Sequence, residues 1–250
     1  MHGSKRNATI FDVQNLSQLK VKIFADGAEK AAMIVLAKNP LIKGFTTNPT
    51  LMRKAGVVDY EKFAKEVLTV ITDKPISFEV FSDDFTEMKR QAELISSWGA
   101  NVFVKIPMTN TQGDSSVSLI KQLVAEGIKV NVTAILTLQQ IKKIAPVLSP
   151  EISSIVSVFA GRVADTGVDP VPIMREAKMI LSSNKRSELL WASTREVLNI
   201  VQAEEAGCHI ITVTNDLLKK LDKWGTPLEH ISLETVQMFY DDGKQAGYRL

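Results

Sequence analysis

The sequence predicts an α/β fold, a single-domain (β/α)8 TIM barrel with an extra C-terminal helix. Three observations carry that expectation. Short apolar runs rich in β-branched residues alternate with helix-length stretches from residue 21 onward, giving eight strand–helix units. Several of the runs are continuously apolar, as strands covered on both faces are. No composition break, long linker, repeat or charge run divides the 250 residues. Eight such units fit a closed cylinder better than an open sheet. The expected boundaries are a polar leader over 1–15 and a barrel domain over 16–250 that includes the last helix.

Taken in order, residues 21–26 read as the first strand and 28–38 as its helix. The second strand is expected over 42–48, with a helix over 59–72 that places Phe63, Val67, Leu68 and Ile71 on one face. A third strand over 75–81 precedes a helix over 84–98. The fourth, 101–107, is an apolar run stopped by Pro107 and followed by a helix over 114–126. The fifth, 130–136, leads into a helix that begins near Thr137 and ends before Ser149-Pro150. The sixth is 152–159, and its helix over 170–181 opens on a proline, as first turns allow. The seventh, 188–193, is paired with a helix over 194–206, and the eighth, 209–214, with a helix from Asp216. Gly99, Gly127 and Gly207 each precede a strand, where a helix end favours a residue comfortable at positive φ. The last helix, 233–246, carries Val236 and Phe239 on one side and has no strand after it, so it either covers the barrel or meets a neighbour.

Composition narrows the function. The chain is 45% hydrophobic and 23% charged, with a formal net charge of +2, which is no nucleic-acid footprint. No apolar run reaches the roughly 18 residues of a membrane span, so no membrane partner is expected. The stretch from Met1 to Asn15 is polar and lacks the apolar core of a signal peptide. Cys208 is the single cysteine, which precludes an internal disulfide and suits a reducing, cytoplasmic setting. His2, His209 and His230 have no metal-ligand spacing, and no metal or other cofactor is expected.

In a barrel of this kind the reactive groups gather at the carboxyl ends of the strands. Lys105 is the only lysine placed there; Lys20, Lys22, Lys43 and Lys129 all come at or before strand starts. Leaving water disfavours the charged form of a lysine and favours the neutral, nucleophilic amine that Schiff-base chemistry on a ketone needs. The plain alternative is a lysine whose stem packs while its head reaches solvent. Other strand ends supply Asp26, Thr46-Thr47-Asn48-Pro49, Glu79, Asn131, Thr133, Ser157, Phe159, Arg162, Ser193 and Arg195. Asp26 has the chemistry of a helix cap or of a proton acceptor. Asn48 is a common turn residue. Ser193-Thr194-Arg195-Glu196 has capping-box spacing, and a serine with two arginines at a helix start also makes a phosphate cradle.

Six motifs stand in order: Ala25-Asp26, Thr46-Thr47-Asn48-Pro49-Thr50, Val104-Lys105-Ile106-Pro107, Asn131-Val132-Thr133, Phe159-Ala160-Gly161-Arg162 and Ala192-Ser193-Thr194-Arg195. With these, the chain resembles the transaldolase family, including its smaller fructose-6-phosphate aldolase branch. The resemblance implies a transaldolase that uses no cofactor, with Lys105 as the Schiff-base residue and Asp26 moving the proton of a substrate hydroxyl. It implies that Glu79 and Thr133 share a water that relays protons, and that Asn48, Asn131 and Ser157 bind substrate hydroxyls. Phe159 would lie against the lysine and keep it dry, while Arg162, Ser193 and Arg195 would hold a sugar phosphate. The aldolase branch typically has glutamine in place of Glu79 and tyrosine in place of Phe159, so the residues here match the transaldolase pattern. Gly27-Ala28 lacks a hydroxyl residue common after the aspartate. Family members are commonly oligomeric, so a homo-oligomer is implied. An aldolase releasing free dihydroxyacetone and an inactive sugar-phosphate-binding relative are the alternatives.

Overall fold

The computed structural model describes residues 16–250, so the expected leader over 1–15 lies outside the described residues. Eight parallel strands close in chain order into a barrel: β1 (Lys22–Asp26), β2 (Ile42–Thr46), β3 (Ile76–Glu79), β4 (Val102–Pro107), β5 (Val130–Ile135), β6 (Ser154–Val158), β7 (Ser187–Trp191) and β8 (Ile210–Thr214). Pairing of β1 with β8 closes the ring. Between strands run α1 (Lys30–Ala37), α2 (Pro49–Lys54), α3 (Tyr60–Leu68), α4 (Phe85–Ser96), α5 (Val117–Ala125), α6 (Leu138–Ile144), α7 (Ala160–Ala164), α8 (Pro170–Leu181) and α9 (Leu198–Glu205). After β8 come α10 (Asn215–Lys219) and the long α11 (Leu228–Gln245).

Strand alternation sorts the side chains into two cores. The larger lies between strands and helices; Val104, Ile106, Val132 and Val156, all fully buried, belong to it. Burying such a side chain contributes roughly 1.5–3 kcal/mol, so the outward faces of the strands carry much of the stability. The smaller core fills the barrel interior with Phe24, Phe103, Ile155, Leu190, Ala192 and Ile210. Gly44 faces this plug: a Cβ there would stand 2.5 Å from the Phe24 ring, so only glycine leaves room for it. Below the plug Lys22 pairs with Glu188 at 2.6 Å, and the apolar layer separates that pair from the polar residues above.

Several expectations are corrected. The second strand ends at Thr46, and Asn48 instead caps the short α2, accepting from the Leu51 N–H at 2.9 Å. Neither α2 nor α7 was anticipated; at six and five residues they are too short to show a helical period. The helix expected from 194 begins only at Leu198, so Ser193 caps nothing. Asp26 is no cap either, since Glu29 occupies that position for α1. Gly127 and Gly207 take positive φ (82° and 75°), but Gly99 does not. The last helix starts earlier than expected and buries none of its residues; Val236 and Phe239 are 61% and 65% exposed, so it does not cover the barrel.

Candidate active site

A cavity of about 530 Å3 opens at the carboxyl ends of the strands, above the apolar plug. Lys105 forms part of its floor, 6% exposed, because the residues on either side of it in β4 point outward into the main core. Its Nζ donates to the Thr47 carbonyl at 2.8 Å and lies 3.1 Å from Glu79 Oε2. Lys105 is dry and sits in a polar cage. Register explains the cage. Glu79 and Lys105 are paired positions on adjacent parallel strands, so both side chains enter the lumen at one level.

Two further carboxylate arrangements follow from strand ends. Asp26 closes β1 on the cavity wall, where the Thr46 hydroxyl donates to its Oδ1 at 2.7 Å and contacts the Thr212 hydroxyl behind. Burial pushes the Asp26 carboxyl above the usual aspartate range, against the opposing pull of the Lys105 charge and the Thr46 hydrogen bond. Glu79 is fixed through its backbone by a residue 19 positions earlier in the chain: the Tyr60 phenol accepts from the Glu79 N–H at 2.9 Å and donates to its carbonyl at 3.0 Å. That phenol is wedged among Phe78, Phe81 and Trp98.

The remaining residues sort by depth. Thr133 lines the cavity, and its buried hydroxyl has no hydrogen-bond partner among the described residues, so the cavity's contents must satisfy it. Ala134, beside it, holds φ 59° where β5 and β6 slip register, an uncommon conformation for a residue with a Cβ. Asn131 is fully buried and lies beneath the wall, donating to the Ser77 hydroxyl at 3.0 Å and accepting from Ser157 at 2.6 Å. Ser157 itself reaches the cavity, so Asn131 acts on that space through it. Asn48 lines the opposite side; its carbonyl oxygen is used in the α2 cap, which leaves the amide hydrogens for the cavity.

At the rim stand Phe159, Arg162, Ser193 and Arg195. The Arg162 guanidinium lies 5.7 Å from the centre of the Phe159 ring. Arg195 is gripped by Asp165 through Nε at 3.0 Å, and its N–H is held by Asn199 Oδ1 at 2.8 Å. Ser193 reaches the rim from a strained turn with φ 64° rather than from a helix start. Gly161 permits that turn, since a Cβ on it would fall 1.6 Å from the Ser193 carbonyl oxygen. Lys54 of α2 also lines the cavity and adds a third cation. Sequence reasoning missed Lys54, Tyr60, Thr212 and Asp165; of these, only Lys54, six residues past the Asn48 cap, carried a local signal.

Cys208 lies away from this cavity, with its thiol pushed up to about 12 by burial. Among the described residues no group of three or more His, Cys, Asp or Glu side chains could hold a metal ion. No helix among them is long and apolar enough to cross a membrane.

A family model described as Transaldolase/Fructose-6-phosphate aldolase matches residues 23–249. "Probable transaldolase 2" of Listeria monocytogenes is 33% identical over 215 residues, covering 86% of this chain and 93% of that protein. "Probable transaldolase" of Thermoanaerobacter is 34% identical over 231 residues, covering 92% of this chain and 100% of that protein. Among solved structures, dihydrodipicolinate synthase from Rhodopseudomonas palustris superposes with a TM-score of 0.53 over 77% of this chain and 69% of that one. At 13% identity that likeness concerns the fold alone.

Proposed function

The chain belongs to the transaldolase/fructose-6-phosphate aldolase family, and from that premise we propose that it is a transaldolase moving a dihydroxyacetone unit between sugar phosphates. The observation that carries this reading is the Lys105 amine, 6% exposed at the cavity floor and 3.1 Å from a carboxylate able to take its proton.

In this reading Glu79 accepts the proton of Lys105, and Nζ attacks the C2 carbonyl of a ketose phosphate. The carbinolamine loses water with Glu79 as acid and the unpartnered Thr133 hydroxyl orienting the leaving oxygen. The iminium ion draws electrons from C3, and the C3–C4 bond breaks as Asp26 removes the C4 hydroxyl proton. Burial suits Asp26 to this step, because a carboxylate whose proton affinity is raised is a stronger base. An aldose phosphate leaves, a three-carbon enamine stays on Lys105, and an acceptor aldehyde takes it up by the reverse steps. Asn48 and Ser157 bind substrate hydroxyls, Ser157 being oriented by Asn131. Phe159 shields the reacting carbons, and Arg162, Ser193 and the remaining N–H groups of Arg195 receive the phosphate.

Incubation with fructose 6-phosphate and borohydride followed by peptide mass analysis tests the reading. A reduced adduct on Lys105 is expected, and its absence under turnover conditions sinks the mechanism. With erythrose 4-phosphate present, transfer is expected over release of free dihydroxyacetone; release alone assigns the protein to aldolase chemistry. The bare α11 also supports a homo-oligomer, which light scattering checks.

A further inference from the structure

At the other end of the barrel a second amine is held in a way that sets its protonation. His209 precedes β8, and its Nδ1 accepts from the Leu189 N–H of β7 at 2.8 Å, while its own backbone N–H donates to the Leu189 carbonyl at 3.0 Å. The ring therefore replaces a rung of the ladder where β7 and β8 pair at only Leu190–Ile210 and Trp191–Ile211. An imidazole nitrogen that accepts carries no proton, so the ring hydrogen resides on Nε2. Lys178 of α8 sets its Nζ in hydrogen-bond contact with that Nε2. An ammonium there would point N–H at N–H. Moving the ring proton to Nδ1 would only transfer the conflict to Leu189. Both contacts close when Lys178 is a neutral amine accepting from Nε2–H.

The surroundings agree. Burial is the first cause lowering the proton affinity of both Lys178 and His209. The groups facing them are the Lys22–Glu188 pair and the buried Cys208 thiol. The amine is also reachable: it lines a cavity of about 240 Å3 together with Ser182, Asn184, Lys185, Ser187 and His209. A neutral amine beside a small polar pocket with one further cation suits a short electrophile carrying negative charge.

We propose that Lys178 is a second nucleophilic amine of this protein and a site of acylation by short acyl phosphates, separate from the chemistry at the barrel mouth. In the step, the Nζ lone pair forms a C–N bond to the acyl carbon as the C–O bond to phosphate breaks. The phosphate departs with that electron pair and takes the proton the nitrogen sheds, so no oxidant or reductant is required. Lys185, on the same cavity, stabilises the phosphate charge, and the new acyl oxygen replaces the amine as acceptor for His209 Nε2–H.

The test is per-lysine acylation of the intact protein by acetyl phosphate, read by peptide mass analysis, with Lys185 on the same cavity as reference. An ordinary lysine is neutral to roughly one part in a thousand near pH 7.5, so Lys178 is expected to react at least about tenfold faster than Lys185. Between pH 7 and 9 the rate of an ordinary lysine rises about tenfold per pH unit, whereas that of Lys178 is expected to rise less steeply. H209N keeps an acceptor for Leu189 but removes Nε2–H, and in it Lys178 falls to the rate of Lys185. Equal rates in the wild-type protein, or parallel pH profiles, overturn the proposal. The wild-type profile decides even where H209N does not fold.

Discussion

Tyr60→Phe removes a single oxygen, and the structure says what that oxygen does. It accepts from the Glu79 N–H at 2.9 Å and donates to the Glu79 carbonyl at 3.0 Å, at the point where β3 gives way to loop. The ring itself packs at centroid distances of 5.4 Å from Phe81, 6.0 Å from Trp98 and 6.2 Å from Phe78, contacts that phenylalanine keeps. The loss is thus confined to the hydrogen bonds of the phenol oxygen, with Glu79 and the neighbouring Thr47, and it leaves a part-buried backbone donor unsatisfied. Such a donor costs about 1–3 kcal/mol, and a chain of this size loses about 2–4 °C in Tm per kcal/mol. The expected Tm drop is therefore about 2–12 °C, by calorimetry or circular dichroism. Tyr60 should also matter as a positioning residue, because Glu79 holds Nζ of Lys105 at 3.1 Å. If the end of β3 loosens, borohydride trapping of the Lys105 adduct slows by about tenfold while substrate KM changes little, since a misplaced proton acceptor affects the reaction more than binding. A variant that loses stability yet traps at the wild-type rate would refute the positioning role. One that loses neither would refute the hydrogen-bond account altogether.

Asp26→Asn should lower transfer by about 100-fold or more, as loss of a positioned base does. Its stability effect has a definite sign: Asp26 holds its proton more tightly folded than unfolded, so native stability falls as pH rises from the ordinary aspartate value through the raised one. The asparagine variant escapes that loss, so urea denaturation should find it more stable than the parent at neutral pH, with the gap closing below about pH 4. A gap of equal size at both pH values contradicts the burial argument. Thr133→Val removes a buried hydroxyl that has no partner among the described residues, so stability should hold or rise slightly while adduct formation slows by about tenfold or more; a clear loss of stability would show that the hydroxyl is bonded within the fold. Gly161→Ala places a Cβ 1.6 Å from the Ser193 carbonyl oxygen, so the turn carrying Ser193 must move. The KM for phosphorylated substrates is then expected to rise about tenfold or more while unphosphorylated acceptors are less affected; equal effects on both would detach Ser193 from phosphate binding.

The barrel was legible because each strand is a local apolar run and the longer helices show their period. Two of the short elements were not: α2 and α7 leave no periodic trace, yet they set the rim of the cavity. The helix after β7 was misplaced for a related reason. Ser193-Thr194-Arg195-Glu196 has the letters of a capping box, but Thr194 donates to the Thr212 carbonyl at 2.6 Å, and Arg195 and Glu196 are tied to Asn199. Contacts with β8 override the local capping preference and delay the helix to Leu198. Tyr60, Thr212 and Asp165 were invisible because each acts on a residue distant in sequence, and nothing in a neighbouring letter reports that.

Lys105 shows where residue-by-residue reading misleads. Its neighbours in sequence are apolar, and from them an apolar setting follows; but those neighbours face the helices, and the lysine faces the lumen. What surrounds it is supplied by the same level of adjacent strands. Parallel pairing sets Glu79 opposite Lys105, and Lys105 opposite Asn131, so the interior of this barrel reads around the ring rather than along the chain. Once register is known, the polar cage is the necessary outcome of placing charged residues at paired inward positions of two neighbouring strands. A lysine so placed needs a partner for its charge, and a nucleophilic lysine needs a base for its proton. One carboxylate at 3.1 Å meets both requirements, which is why the ion pair and the proposed chemistry are a single arrangement.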